Sequence, residues 1–81
     1  MASLEVIRDV ISKEMNIAPE LIEPGTHLID LGIDSLMALT VLFQLEDRFN
    51  VEIPPDIVDT IITVDDILTK INELQNSSEH V

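Results

Sequence analysis

Aliphatic side chains recur at intervals of three and four residues in separate stretches of this 81-residue chain. In the first stretch the apolar positions are Leu4, Ile7, Val10, Ile11 and Met15. Charged and polar residues fill the positions between them, which is the pattern of an amphipathic helix with one buried face. Ser3 precedes this stretch and is a suitable N-cap. A chain built from such stretches folds by packing helices against one another.

Two further helices follow from the same pattern. Residues 35–49 contain neither glycine nor proline and predict the longest helix, with Asp34 as its cap or as an anion in its first turn. Thr63 followed three residues later by Asp66 resembles a capping box, and it opens a helix that is predicted to end near Gln75. The apolar stripe of this last helix is Val64, Ile67, Leu68, Ile71 and Leu74. Residues 56–61 follow Pro54 and Pro55 and have room for only a short helix of about two turns.

The segment between the first two long helices is predicted to be a loop. Residues 16–33 contain Pro19, Pro24, Gly25 and Gly32, which leaves room for one helical turn near residues 19–22. Loops of this length inside small domains are uncommon and often functional. The aliphatic residues that we expect to pack this loop onto the bundle are Leu21, Ile22, Leu28, Ile29, Leu31 and Ile33.

The sequence therefore predicts an all-α fold, a four-helix bundle with a long first loop and a short third helix. One domain covers residues 1–75, and the polar residues 76–81 form a disordered tail. A domain of this size buries only about 60% of its unfolded surface. Because the chain has two aromatic residues, Phe43 and Phe49, its core must consist mostly of Leu, Ile and Val.

Charge and composition exclude several function classes. The chain has 16 acidic and 4 basic residues and a net charge of −12, so it lacks the positive surface that a nucleic-acid binder needs. Its partners are expected to present basic patches, although the acidity also serves solubility alone. There is no cysteine, which excludes disulfides and thiolate catalysis. No segment is long enough to cross a membrane, and we expect a cytoplasmic monomer.

The stretch Asp-Leu-Gly-Ile-Asp-Ser-Leu at residues 30–36 places Ser35 at the start of the longest predicted helix. There the hydroxyl is exposed at the positive end of the helix dipole, where a phosphate group can be held. A plain helix-capping role is the alternative for an isolated serine of this kind. Gly32 is expected to adopt a backbone conformation that is open to few other residues.

Gly-Ile-Asp-Ser-Leu at residues 32–36 resembles the attachment motif of acyl carrier proteins and related thiolation domains. Residues 45–54 are similar to the end of the second helix of that family and the loop that follows it. Residues 60–67 resemble the junction between its third and fourth helices. The resemblance covers nearly all of residues 3–75, with its parts in the family's order.

The resemblance implies a function for Ser35. A phosphopantetheinyl transferase would move 4'-phosphopantetheine from coenzyme A onto the Ser35 oxygen, with Asp34, Gly32 and Leu36 forming the rest of the attachment site. The thiol of the arm would carry acyl cargo as a thioester for fatty-acid or polyketide-type biosynthesis. Two alternatives stay open: an unmodified acidic interaction module, and a peptidyl or aryl carrier loaded by an adenylating enzyme. No intrinsic enzyme activity is expected, because Ser35 is not in a Gly-x-Ser-x-Gly motif.

The second helix and the short third helix are predicted to supply the contacts with acyl-transferring and condensing enzymes. In the register that the resemblance implies, Leu36, Val41, Leu45 and Phe49 face inward, while Met37, Leu39, Leu42 and Phe43 lie on other faces. The predicted partner-binding residues are Met37, Leu39, Phe43, Glu46, Asp47 and Asp56. Met37 and Thr40 occupy positions that tend to be acidic in bacterial fatty-acid carriers, and the run Ser-Leu-Met-Ala is more like that of polyketide carriers. His27, near Asp30, is interpreted as a loop residue and not as a metal ligand.

Overall fold

A computed structural model describes the backbone of residues 3–79 and the side chains of residues 3–76. It contains three α-helices, α1 (Leu4–Met15), α2 (Ser35–Phe49) and α3 (Val64–Glu79). Three short 3-10 helices lie between them, at Pro19–Leu21, Leu28–Leu31 and Pro55–Asp59. The described residues form no strand, only one isolated antiparallel bridge between His27 and Thr63. The all-α prediction is confirmed, and a 3-10 helix stands where the short third helix was predicted.

Local capping explains where the helices begin and end. The Ser3 side chain accepts a hydrogen bond from the Val6 N–H at the start of α1, as predicted. Helices α1 and α2 both end at an asparagine in the left-handed conformation, Asn16 (φ 56°) and Asn50 (φ 54°). Asparagine tolerates this conformation better than other non-glycine residues, so each helix stops there.

The first loop is only partly packed onto the bundle. Ile22, Leu28 and Ile33 are buried, which confirms the prediction for these three residues. Leu21 and Ile29 are 64% and 77% exposed, so the prediction that they pack inward is wrong. Each lies on a 3-10 helix too short to bury more than one side.

The face predicted for α2 is partly right, because Val41 and Leu45 are buried and Phe49 is partly buried, whereas Leu36 is not. Its buried residues are Ala38, Val41, Leu42 and Leu45, a spacing that defines one helical face. Leu36 lies roughly 200° around the helix from Ala38 and is 71% exposed, so its predicted inward orientation is wrong. Leu42 is 1% exposed and belongs to the core, not to an outer face.

Helix α3 begins with the predicted capping box. The Thr63 Oγ1 accepts a hydrogen bond from the Asp66 N–H at 3.2 Å, and the Asp66 carboxylate accepts one from the Thr63 N–H at 3.0 Å. The helix extends to Glu79, past its predicted end near Gln75. The last two residues of the predicted tail, 80 and 81, lie outside the described residues, and the domain bounds stay a prediction.

The core is aliphatic, as predicted. Helix α1 packs against both α2 and α3. The described part of the chain contains no buried polar or charged residue. Phe43 is half exposed and Phe49 only partly buried. The buried residues are Ile7, Val10, Ile11, Ile22, Leu28, Ile33, Ala38, Val41, Leu42, Leu45, Ile53, Ile61, Val64, Ile67 and Ile71.

Candidate functional site

Ser35 is the first residue of α2, and its side chain is exposed. Asp34 is the N-cap, with extended backbone (φ −85°, ψ −174°), and its carboxylate accepts a hydrogen bond from the Met37 N–H at 2.9 Å. The first intrahelical hydrogen bond runs from the Ala38 N–H to the Asp34 carbonyl, at 2.8 Å. The N–H groups of Ser35 and Leu36 therefore have no partner within the helix, which leaves two donors beside the Ser35 hydroxyl.

Gly32 sets the direction in which the chain enters α2. It ends the 3-10 helix Leu28–Leu31 in the left-handed conformation, with φ +82° and ψ 14°. A Cβ at this position would meet only the Met15 Cε, at an ordinary distance of 3.6 Å. Backbone conformation and not space thus accounts for the glycine, as the sequence predicted. The turn places the buried Ile33 in the core and leaves Asp34 and Ser35 on the surface.

An apolar pocket of about 330 Å³ opens beside Ser35. Its walls come from the first loop, from the start of α2 and from the segment around the 3-10 helix Pro55–Asp59. The lining residues are Leu28, Ile29, Ile33, Asp34, Ser35, Ala38, Val58, Ile61 and Ile62. Apart from Asp34 and Ser35 at one side, every lining side chain is aliphatic, so the pocket suits an alkyl group and not a charged one.

Comparisons with known proteins identify the family. Residues 5–71 match a family model described as a phosphopantetheine attachment site. An acyl carrier protein of Campylobacter hominis is 32% identical over 78 residues, which are 95% of this chain and 99% of that protein. Acyl carrier proteins of Wolinella succinogenes and Helicobacter pylori (strain J99) are 35% and 34% identical, covering 84% and 90% of this chain and 91% and 95% of theirs.

The chain belongs to the acyl carrier protein family. It is a carrier and not an enzyme, and it carries acyl groups on covalently attached 4'-phosphopantetheine. The resemblance of the chain to this family is thereby confirmed. The residues at the start of α2 fit such a group, because an exposed hydroxyl, two unpaired N–H groups and an apolar pocket lie together there.

The carrier's four basic side chains all have partners within the chain. The Arg8 Nε donates a hydrogen bond to the Ile22 carbonyl at 2.8 Å. Lys13 and Arg48 both contact the Asp9 carboxylate, at 3.2 and 3.5 Å, and lower the pKa of Asp9, the hydrogen bond from Lys13 having the largest effect. Lys70 pairs with Glu73 at 3.2 Å. The net charge of −12 is therefore displayed by carboxylates, most of which have no ion pair.

The predicted partner-binding residues differ in exposure. Phe43 is 51% exposed, and Asp47 and Asp56 are exposed as well. Met37 and Leu39 are partly buried. Glu46 has a structural contact that the sequence did not indicate, since its carboxylate accepts a hydrogen bond from the Ile53 N–H at 2.6 Å. It ties the end of α2 to the following loop.

A second concavity lies at the other end of α2. Its volume is about 670 Å³, and acidic residues and prolines contribute much of its surface. The residues that line it are Phe43, Glu46, Asp47, Asn50, Val51, Glu52, Ile53, Pro54 and Pro55. Sequence reasoning missed this groove, because it forms only when the loop after α2 folds back along the helix.

The described residues contain neither a metal-binding cluster nor a membrane-spanning helix. Among residues 3–76, whose side chains are described, no group of three or more His, Asp or Glu side chains is placed to bind a metal ion. No helix among them has the length and apolar composition needed to cross a membrane.

Proposed function

We propose that Ser35 is the residue that bears the 4'-phosphopantetheine of this carrier. The observation that carries the proposal is the position of Ser35, exposed as the first residue of α2 and adjacent to an apolar pocket. A phosphopantetheinyl transferase would use coenzyme A as donor. The Ser35 oxygen forms a bond to phosphorus, the nucleotide half of coenzyme A leaves, and the hydroxyl proton passes to a base of the transferase.

The start of α2 favours the phosphodiester that this transfer creates. The Asp34 carboxylate is engaged with the Met37 N–H, while the N–H groups of Ser35 and Leu36 remain available to a phosphate oxygen. The positive end of the helix dipole offsets part of the negative charge. Asp34 is also exposed, so it is available to contact the transferase. Gly32 orients both residues, and Leu36 presents its side chain outward beside them.

The pocket beside Ser35 suits the apolar part of an acyl cargo. When bound, the arm supplies a thiol that carries the acyl group as a thioester. Aliphatic walls exclude water from an alkyl chain. We propose that the 3-10 helix Pro55–Asp59, which contributes Val58 to the wall, is the counterpart of the third of the four predicted helices. The cargo is an acyl group of fatty-acid or polyketide-type biosynthesis.

Partner enzymes are proposed to contact the outer face of α2. Leu36 and Phe43 are exposed there, with Asp47 one helical turn beyond Phe43. Apolar side chains beside carboxylates complement a basic patch with an apolar centre. The net charge of −12 also keeps identical chains apart, which favours a monomeric protein. We propose that it acts in the cytoplasm.

Intact-mass measurement tests the attachment site. The wild-type chain is incubated with coenzyme A and a broad-specificity phosphopantetheinyl transferase, beside Ser35→Ala and Ser3→Ala variants. Ser3 is a matched control, because it is also an exposed serine at the start of a helix. We expect the wild type and Ser3→Ala to gain the mass of one arm and Ser35→Ala to gain none. An unloaded wild type, or a loaded Ser35→Ala, would contradict the proposal.

The rate of the same loading reaction tests the outer face of α2. Phe43→Ser should slow loading at low enzyme concentration, whereas Leu21→Ser, which alters an exposed apolar residue in the first loop, should not. Raising the salt concentration should slow loading of all three proteins, because it screens the attraction between opposite charges. Equal rates for the two variants would exclude Phe43 from this contact.

A further inference from the structure

Backbone hydrogen bonds join the first loop to the segment that precedes α3. The Leu28 N–H donates to the Ile62 carbonyl at 2.9 Å, and the Val64 N–H donates to the Thr26 carbonyl at 3.1 Å. A third hydrogen bond runs from the Asp65 N–H to the Pro24 carbonyl, at 2.9 Å. We call this pairing of residues 24–28 with residues 62–65 the latch.

Asp66 fixes the latch from the α3 side. Its Oδ2 atom accepts hydrogen bonds from the Ile62 N–H at 2.8 Å and from the Thr63 N–H at 3.0 Å. A capping box requires only the second of these bonds. The two backbone donors lower the pKa of the Asp66 carboxyl, with smaller help from the Thr63 hydroxyl group and from the nearby His27, so Asp66 is charged at neutral pH.

The bond to Ile62 has a consequence for the Ser35 pocket. The Ile62 N–H is held by Asp66, and its carbonyl is held by Leu28, so both polar groups of this residue's backbone are engaged. Ile62, its neighbour Ile61 and Leu28 all line the pocket. Ile61 and Leu28 are buried in the core, but the Ile62 side chain is 60% exposed, so side-chain packing does little to hold Ile62 itself in place. Without Asp66, water would satisfy the Ile62 N–H and the segment could move away from the first loop.

We propose that Asp66 is a positioning residue for the Ser35 pocket, holding residues 61–63 against the first loop so that the pocket stays closed around an acyl chain. The role in enclosing cargo rests on the proposed attachment at Ser35. The role in holding the latch does not, because it concerns contacts within the unmodified chain.

Hydrogen exchange of backbone amides tests the latch in the unmodified protein. The Leu28 and Val64 amides report opening of the latch, and the buried Ile11 and Leu45 amides in α1 and α2 report global unfolding. In Asp66→Ala, we expect exchange at Leu28 and Val64 to accelerate about tenfold more than exchange at the two core amides. The reason is that the Ile62 and Thr63 N–H groups both lose the carboxylate that accepts their hydrogen bonds. Asp66→Glu should restore slow exchange, because glutamate is the usual residue at this position of a capping box.

Asp65→Ala is the matched control, since it removes a neighbouring carboxylate from the same helical turn while leaving the Asp65 N–H in the latch. Equal acceleration of latch and core amides in Asp66→Ala would mean that Asp66 serves only global stability and would overturn the proposal. So would an Asp65→Ala protein that matched Asp66→Ala.

A second measurement concerns the cargo. In the loaded and acylated protein, Asp66→Ala should shorten the lifetime of the thioester in water relative to Asp65→Ala, and an unchanged lifetime would overturn the enclosing role. If the wild type cannot be loaded at all, the attachment proposal fails, while the exchange measurement still decides the latch.

Discussion

Helix α2 has a concavity at each end, and the two differ in lining and in size. The pocket at its first turn is about 330 Å³ and almost entirely aliphatic, whereas the groove at its last turn is about 670 Å³ and includes Glu46, Asp47 and Glu52. Burying those carboxylates under an alkyl chain would cost far more than the chain gains by leaving water. Size is therefore a poor guide to function in this molecule. The smaller concavity is the one that suits acyl cargo, and the larger one suits a basic partner surface.

The two ends of α2 are also held differently. At the last turns, side chains bind α2 to its neighbours: Arg48 to Asp9 of α1, Gln44 to Glu14 of α1, and Glu46 to the backbone of Ile53. At the first turn, the surroundings of Ser35 are set by backbone features, the Gly32 turn and the latch. Backbone pairing of loops opens locally more easily than a packed helix does. The pocket end is thus the end of α2 that we expect to open more easily.

The largest expected effect is a loss of stability, which should be greater for a substitution in the packed core than for one in the pocket wall. Ile11 is fully buried, and Ile11→Ala should lower the free energy of unfolding by about 2–5 kcal/mol, since it removes buried methylene groups and leaves a cavity. Val58 is only partly buried and borders an existing pocket, so Val58→Ala should cost about 1 kcal/mol. Chemical denaturation of both variants measures the difference. Equal losses would mean that the pocket wall is packed as tightly as the core.

A smaller effect is expected at the turn that leads to Ser35. Gly32→Ala should lower the free energy of unfolding by about 1–2 kcal/mol, because alanine is strained at φ +82°. Gly25 is the matched control: it has no positive φ, and a Cβ there would meet nothing within 4 Å. Gly25→Ala should leave stability unchanged or slightly raised. If both variants behaved alike in denaturation, the turn at Gly32 would not be the constraint on Ser35 that we describe.

Helix positions were predictable from the sequence because their signals are local. The side chains that begin the helices each accept a hydrogen bond from an N–H three residues away, so the residue types alone indicate where each helix begins. These side chains are Ser3, Asp34 and the Thr63–Asp66 pair. The exposed position of Ser35 follows from the same local chemistry.

The faces of α2 and the latch were not predictable in this way. Eight apolar residues lie among the first eleven of α2, so more than one face of the helix looks apolar. The spacing of apolar residues therefore does not show whether Leu36 or Leu42 is buried. In the fold, α2 packs against α1 and buries the face that contains Leu42. The latch joins residues 24–28 to residues 62–65, and the extra acceptor role of Asp66 toward Ile62 depends on that long-range pairing. No local pattern reports it.

The smallest expected effect is a difference in acid sensitivity between the two ends of α2. Asp66 holds the pocket end, and Asp9 binds Arg48 at the other end. The folded-state pKa values of Asp66 and Asp9 are both lowered, so each carboxylate stabilises the fold above its unfolded pKa of about 3.9 and loses this contribution as pH falls through the folded value. Relative to the wild type, Asp66→Asn and Asp9→Asn should therefore both reduce the loss of stability below about pH 4.

Added salt separates the two variants. The exposed ion pairs of Asp9 with Lys13 and Arg48 are screened, so the Asp9→Asn difference should vanish in high salt. The Asp66 hydrogen bonds come from backbone N–H groups and resist screening, so the Asp66→Asn difference should persist. Denaturation midpoints measured across pH at two salt concentrations would show both differences. If the Asp66→Asn difference vanished in high salt, charge attraction and not the backbone contact would hold the pocket end together.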